Sequence, residues 1–134
     1  MMTTPDRPER ANTDRPRLVY RLCHADDWQA AVRAGTFTGT DVDTRDGFVH
    51  LSAADQVEET ARRHYADVRP LILVAVDTAR VVGDLRWERS RDGAAFPHLY
   101  GSIPLEAVLS ALPLAEDRDH HLIFPLLTNT PGDV

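Results

Sequence analysis

Six histidines are the first residues to weigh for chemistry, and three of them sit where sites form. His24, His50 and His98 each fall at or near the end of a short extended segment, where loops gather. A neutral imidazole can take up, hold or pass on a proton near neutral pH, and can also bind a metal. The string Phe96-Pro97-His98-Leu99-Tyr100-Gly101 places His98 and Tyr100 on one face of an extended chain. It offers a ligand one hydrogen-bonding ring and one stacking ring. Glu88 shares a face with Arg86 in the preceding segment. It is either half of a surface ion pair or a carboxylate aimed at a ligand hydroxyl. In Gly47-Phe48-Val49-His50-Leu51-Ser52, the side chains of Phe48, His50 and Ser52 share one face. In the first extended segment His24 lies with Leu22 and Tyr20, while Cys23 and Arg21 point the other way. A Cys23–His24 nucleophile pair is therefore disfavoured, and Cys23 reads as a small buried hydrophobe. Each histidine also has a blander reading, as a hydrogen-bonded core residue. His64 and the His120-His121 pair read as solvated or capping residues.

Composition removes several chemistries. The chain has 134 residues, enough for one domain and one core. Its 15 basic residues are all arginine, against 21 acidic ones, for a net charge of −6. With no lysine there is no Schiff base, no phosphate-loop lysine and no lysine general base. A global basic footprint for nucleic acid is absent, so DNA is not an expected partner, although a local arginine groove stays open. One cysteine allows neither an internal disulfide nor a multi-cysteine metal site. No apolar run approaches the roughly 18 residues of a membrane span. No signal peptide is visible, and the expected compartment is the cytoplasm.

The elements that must position these residues follow from periodicity. Residues 1–16 carry three prolines and no apolar period and read as a disordered tail. The folded body is 17–127, and 128–134 reads as a flexible C-terminal tail. Leu18 to Cys23 reads as a strand ending at His24. A helix follows from about Ala25, with Trp28, Ala31 and Val32 on one face and Gly35 as its stop. Thr36 to Asp46 reads as a loop with a brief extended piece, and Asp46-Gly47 as a turn. Ser52 with Asp55 suggests a capping signal for a second helix from Ala53 to about Ala66. The run Leu71-Ile72-Leu73-Val74-Ala75-Val76 reads as a central strand buried on both faces. Val81-Val82 and Leu85 to Glu88 read as extended, and Phe96 to Gly101 as an edge strand, because Pro97 lacks a ladder donor. A short helical turn near Pro104, a strand from Val108 to Leu114 and a last extended piece from His121 to Phe124 complete the chain. Two early helices followed by many short strands predict an α+β fold with a mixed or antiparallel sheet.

These segments, in this order and at this spacing, resemble the bacterial family known as domain of unknown function 952. The resemblance runs from about Leu18 to Val108. It is carried by Tyr20-Arg21-Leu22-Cys23-His24 with Trp28, by Gly47 to Ser52 with Gln56, by the Leu71–Asp77 strand, and by Glu88 and Phe96 to Gly101. The family is grouped by fold with the ADP-ribosyltransferase-like proteins. The resemblance thus implies a curved, split β-sheet whose cleft takes a small-molecule nucleotide, with NAD as co-substrate, an acceptor left open and no metal expected. It implies that His24, with Arg21 as the weaker candidate, holds the nucleotide, and that His50 and Ser52 face it from a second strand. Glu88, His98 and Glu106 are the candidates for the third catalytic position, with Glu88 and His98 preferred. Phe48 or Tyr100 would stack on a ring of the ligand. The chemistry fits such residues, because breaking a nicotinamide–ribose bond builds positive charge that a carboxylate stabilises. The alternatives are a non-catalytic ligand-binding module on the same fold, or a metal site built from His24, His50 and His98, against which stands the lack of any local histidine pair such as H-x-x-x-H. A homodimer is one assembly open to the chain.

Overall fold

The apolar run at Leu71 forms strand β4 of the structure (Leu71–Asp77), and every one of its residues is buried. The computed structural model describes residues 15–90 and 93–130. In chain order the other elements are β1 (Leu18–His24), α1 (Ala25–Ala34), β2 (Thr36–Phe37), α2 (Asp41–Asp46), β3 (Val49–His50) and α3 (Val57–His64), then, beyond β4, β5 (Val82–Arg89), β6 (Ala95–Pro104), β7 (Val108–Pro113), β8 (Ala115–Glu116) and β9 (Leu122–Ile123). Single 3-10 turns at Thr78–Arg80 and Leu105–Ala107 join β4 to β5 and β6 to β7.

Strands β1, β4 and β7 form one antiparallel sheet with β4 in the middle, in register from Leu18 opposite Asp77 to His24 opposite Leu71. Strand β6 centres a second sheet, with β5 along one edge and the short strands β2 and β3 sharing the other. The described strand pairs are all antiparallel. The two sheets touch through a bridge in which Tyr20 and Ser52 exchange backbone hydrogen bonds of 2.8 and 2.9 Å. The expected α+β architecture with a split antiparallel sheet is thus what the backbone forms.

Core packing explains why β4 is apolar on both sides. One face of its sheet (Val19, Cys23, Ile72, Val74, Val76) packs on Val49, Leu51, Leu99 and Ile103 of the second sheet and on α1. The other face (Tyr20, Leu22, Leu71, Leu73) packs on Val57 and Ala61 of α3 and on the C-terminal segment at Leu122, Phe124 and Leu127. A strand walled on both sides has no solvent face on which to alternate.

Several expectations are corrected. Three helices form, because 41–46, read as loop, is helical between Thr40, which opens a capping box with Asp43, and Gly47 at φ +89°. Helix α3 starts at Val57 rather than Ala53. The backbone of Ser52 is committed to the bridge with Tyr20, and the Gln56 side chain fixes the intervening turn by accepting from Ala53 N and donating to Ala95 O. In α1, Ala31 faces the core while Val32 is half exposed. Strand β6 is central, not an edge. Pro97 fits there because its side facing β3 lies just past the end of that strand, where Leu51 N donates to Pro97 O and only the return bond is missing. The chain expected to loosen at Thr128 is tied to β1, since Tyr20 Oη donates to Thr128 O and Asn129 O accepts from Arg17 N and Leu18 N. Arg15, expected in the N-terminal tail, lies over the Trp87 ring at 5.1 Å. The remainder of those tails, 1–14 and 131–134, lies outside the described residues.

Strands β5 and β6 approach most closely where Gly83 faces Gly101. A Cβ on Gly101 would lie 1.8 Å from Val82 O, a backbone atom that cannot swing aside. Gly101→Ala is therefore expected to destabilise the fold by about 3 kcal/mol in urea denaturation; a loss below about 1 kcal/mol would show that the strands can part there without penalty.

Candidate active site

A cleft of about 790 Å³ opens between α2, the ends of β1 and β3, and the C-terminal part of α3. His24, His50 and His98 all line it, as do Arg21 and Ser52. Phe48, Glu88 and Tyr100 stand outside its wall, in contact with His98 or its partners. Glu106 is exposed on its 3-10 turn and is not part of the wall.

The second sheet supplies the His98 side of the cleft. Alternation along β6 sends Pro97 and Leu99 inward and His98 and Tyr100 to the opposite face. Pairing then sets Arg86 and His50 beside His98 from the two neighbouring strands. Glu88 Oε1 lies 2.7 Å from His98 Nδ1 and accepts from Tyr100 Oη at 2.8 Å. Those two hydrogen bonds hold the Glu88 carboxyl below its ordinary range, and the carboxylate in turn raises the Tyr100 phenol. Glu88 does not pair with Arg86, which binds Asp84 at 2.8 Å and lies over the Tyr100 ring at 4.4 Å. Phe48 stacks on the His98 ring, with centroids 4.0 Å apart and planes at 21°. His98 is therefore fixed on its Nδ1 edge and on one ring face. Among the described residues its Nε2 has no protein partner.

The opposite side is built on Asp43, which is 2% exposed. Its Oδ1 accepts from Arg21 Nη1 at 2.7 Å and His50 N at 2.9 Å, and lies 2.7 Å from His50 Nδ1. Its Oδ2 accepts from Thr40 N at 2.6 Å and from Thr40 Oγ1. Burial pushes the Asp43 carboxyl up, but the hydrogen bonds from His50 and Arg21 outweigh it and hold the group far below the usual carboxylate range. His50 Nε2 faces Asp46 Oδ2 at 2.9 Å, one turn along α2 from Asp43. The ring centroids of His50 and His98 are 5.9 Å apart.

The remaining candidates have structural tasks. His24 caps α1: its Nδ1 accepts from Asp26 N at 3.0 Å, which leaves Nε2 as the donor to Arg69 O at 3.1 Å. Arg21 is 4% exposed, and besides Asp43 it donates to the carbonyls of Leu22 and His50. While these bonds stand His24 has no free donor for a ligand, and four of the five Arg21 N–H groups, counting one to Thr40 Oγ1, are taken up within the protein. Ser52 donates to Thr60 Oγ1 at the cleft wall. With both nitrogens of His24 and of His50 facing protein partners, the three histidines do not assemble a metal-ligand set. Burial raises the Cys23 thiol to about 11, as befits a packed hydrophobe.

Sequence reasoning passed over Asp43, Asp46 and Tyr65, all on the cleft wall. The spacing Thr40-x-x-Asp43, set between Gly39 and Gly47, is a capping signal that marks the first of them. Asp46 follows from it by helical spacing. Nothing in the sequence marks Tyr65.

The geometry defines an α+β protein with two antiparallel sheets around one core and a histidine-lined cleft at their junction. The chain belongs to the family of proteins of unknown function DUF952, whose model matches residues 22–111. It is similar to protein CC0527 from Caulobacter crescentus. The crystal structure of that protein is 40% identical at a TM-score of 0.73, over 79% of this chain and 93% of that one. Its solution NMR structure is 40% identical at a TM-score of 0.67, over 78% and 90%. No curated protein matches. Among the described residues, no helix is long and apolar enough to cross a membrane.

Removing Asp43 strands a buried guanidinium. Asp43→Ala is expected to cost about 3–5 kcal/mol in urea denaturation. The same pair sets an acid limit. The Asp43 carboxyl lies lower in the folded than in the unfolded chain, so the native state binds fewer protons there. Its stabilisation is complete above about pH 4, the unfolded value, and is lost progressively as pH falls below it. Stability measured between pH 5 and pH 3 should therefore fall more steeply in the parent than in Asp43→Asn; parallel slopes would contradict this.

Proposed function

We propose that the cleft binds a ribose-bearing nucleotide of the NAD or ADP-ribose class, and that His98 with Glu88 handles proton and charge on it, in ADP-ribosyl transfer or NAD hydrolysis. The observation that carries this reading is the Tyr100–Glu88–His98 cluster. It is a carboxylate holding one nitrogen of a cleft-lining imidazole, with the other nitrogen left without a partner among the described residues. Because the Glu88 carboxylate accepts a hydrogen bond from Nδ1–H, Nε2 is the basic atom of the neutral ring. A volume of about 790 Å³ suits a ligand of nucleotide size. The acidic face of Glu88 would favour the positive charge that grows on a ribose as its glycosidic bond breaks. In this reading His24 and Arg21 shape the cleft instead of gripping the ligand, which falls to His98 and Ser52 on its wall, with Phe48 backing the His98 ring.

A second reading, a non-catalytic binding module, is favoured by the engagement of both His24 nitrogens and most of the Arg21 guanidinium with protein partners. The two separate cleanly. Calorimetric titration with NAD and with ADP-ribose is expected to show binding at millimolar ligand or below, weakened at least about tenfold by His98→Ala. Silence from both ligands would overturn the nucleotide reading. Nicotinamide release abolished by Glu88→Gln supports catalysis, whereas binding with no release over hours, unchanged by Glu88→Ala, supports the module.

A further inference from the structure

We infer that His50 and His98 form a complementary acid–base pair, and that the bond they are arranged to break is a phosphate ester of a ribose hydroxyl. The inference rests on the reading that the cleft takes a ribose nucleotide, and assigns it an activity beyond ADP-ribosyl chemistry.

The two imidazoles are fixed alike at one edge. His50 Nδ1 lies 2.7 Å from Asp43 Oδ1, and His98 Nδ1 lies 2.7 Å from Glu88 Oε1. Both carboxyls are held low, so each accepts and each Nδ1 carries a proton. Nε2 is then the working atom of both rings. At Nε2 they differ. His50 Nε2 faces the Asp46 carboxylate at 2.9 Å, which requires an N–H there. His98 Nε2 has no partner among the described residues. One ring rests loaded with a proton and the other rests open to receive one. Their centroids are 5.9 Å apart, Phe48 packs against both, and both line the same cleft.

Cleavage of a nicotinamide–ribose bond expels a neutral base and needs no proton donor. A second, proton-loaded imidazole has no task in that reaction. A phosphate ester differs, because its leaving alkoxide must be protonated as it departs. In the step assigned here, His98 Nε2 takes a proton from water as the water oxygen bonds to phosphorus. The ester P–O bond breaks, and His50 Nε2 gives its proton to the departing ribose oxygen. Proton exchange with solvent resets both rings, and no further reactant is needed. Asp46 keeps Nε2 of His50 protonated until the leaving oxygen displaces it. Arg45, whose Nε holds Asp46 Oδ1 at 3.0 Å at the cleft wall, is a cation placed beside this pair for a phosphoryl oxygen.

The test uses the full chain with adenosine 2′,3′-cyclic phosphate as substrate, product resolved by chromatography, alongside calorimetry with ADP-ribose. Opening of the cyclic ester to the monophosphate is expected, with His98→Gln and His50→Gln each lowering the rate by about 10²–10⁴-fold. His50 also touches the buried Asp43 cluster; should its variant fail to fold, Asp46→Asn, at a more exposed position, is expected to lower kcat at least about tenfold with a smaller change in KM. ADP-ribose binding without ester opening would overturn the acid–base pair alone. Ester opening without ADP-ribose binding would overturn the dinucleotide reading alone, and loss of both would overturn the two together. Full activity in either folded histidine variant would also overturn the pair.

Discussion

A buried ion pair between Arg21 and Asp43 fixes the geometry on which the cleft depends. Burying either charge alone would cost several kcal/mol, so each holds the other in place. Asp43 gathers partners from three elements: Arg21 of β1, Thr40 at the head of α2 and His50 of β3. A two-residue strand such as β3 has little ladder of its own, and a six-residue helix such as α2 little cooperativity. Their positions are set by this one carboxylate. Among the described residues no buried side-chain nitrogen or oxygen lacks a hydrogen bond, the Asp43 and Arg21 groups included.

The two sheets divide the work. Strands β1 and β4 of the first sheet are packed on both faces and serve as its floor. The four-stranded second sheet buries its inner face, including Leu99 and Ile103, against the first. Its outer face carries Phe48, His50, Glu88, His98 and Tyr100 in mutual contact. Side chains on paired strands are held to within a rotamer of one another, and so polar groups that must meet at hydrogen-bond distance are well placed there. The cleft lies where this face runs into the Asp43 cluster. His98 and His50 owe their orientations on its wall to strand pairing and to that cluster.

The sequence was informative where one physical rule acted alone. The run at Leu71 has a single interpretation, a strand walled on both faces, and β4 is that strand. Alternation placed His98 with Tyr100 and Phe48 with His50, and the structure shows both pairs on one face. Gly35 stops α1 and Gly47 turns the chain, as their freedom at positive φ requires. The failures lie where tertiary contacts override local signals. Ser52 looks like a helix cap, but its backbone is committed to Tyr20. Pro97 suggests an edge, yet its missing donor falls just beyond β3. His24 has the exposure and chemistry of a ligand-binding group, but the start of α1 claims one nitrogen and Arg69 O the other. The arginine–aspartate pair between residues 21 and 43 could not be read from spacing, because the two meet only after the sheets pack.

Among the described residues, carboxylates face both nitrogens of His50 but only Nδ1 of His98, and the proposed acid–base pair requires the first ring loaded with a proton and the second open at Nε2. Long-range proton–nitrogen correlation NMR on the histidine rings near neutral pH reads those states directly. The acid–base pair requires a protonated Nδ1 and an unprotonated Nε2 for His98, and protons on both nitrogens of His50. A proton on Nε2 of His98 in place of Nδ1, or a neutral His50 ring, would contradict it.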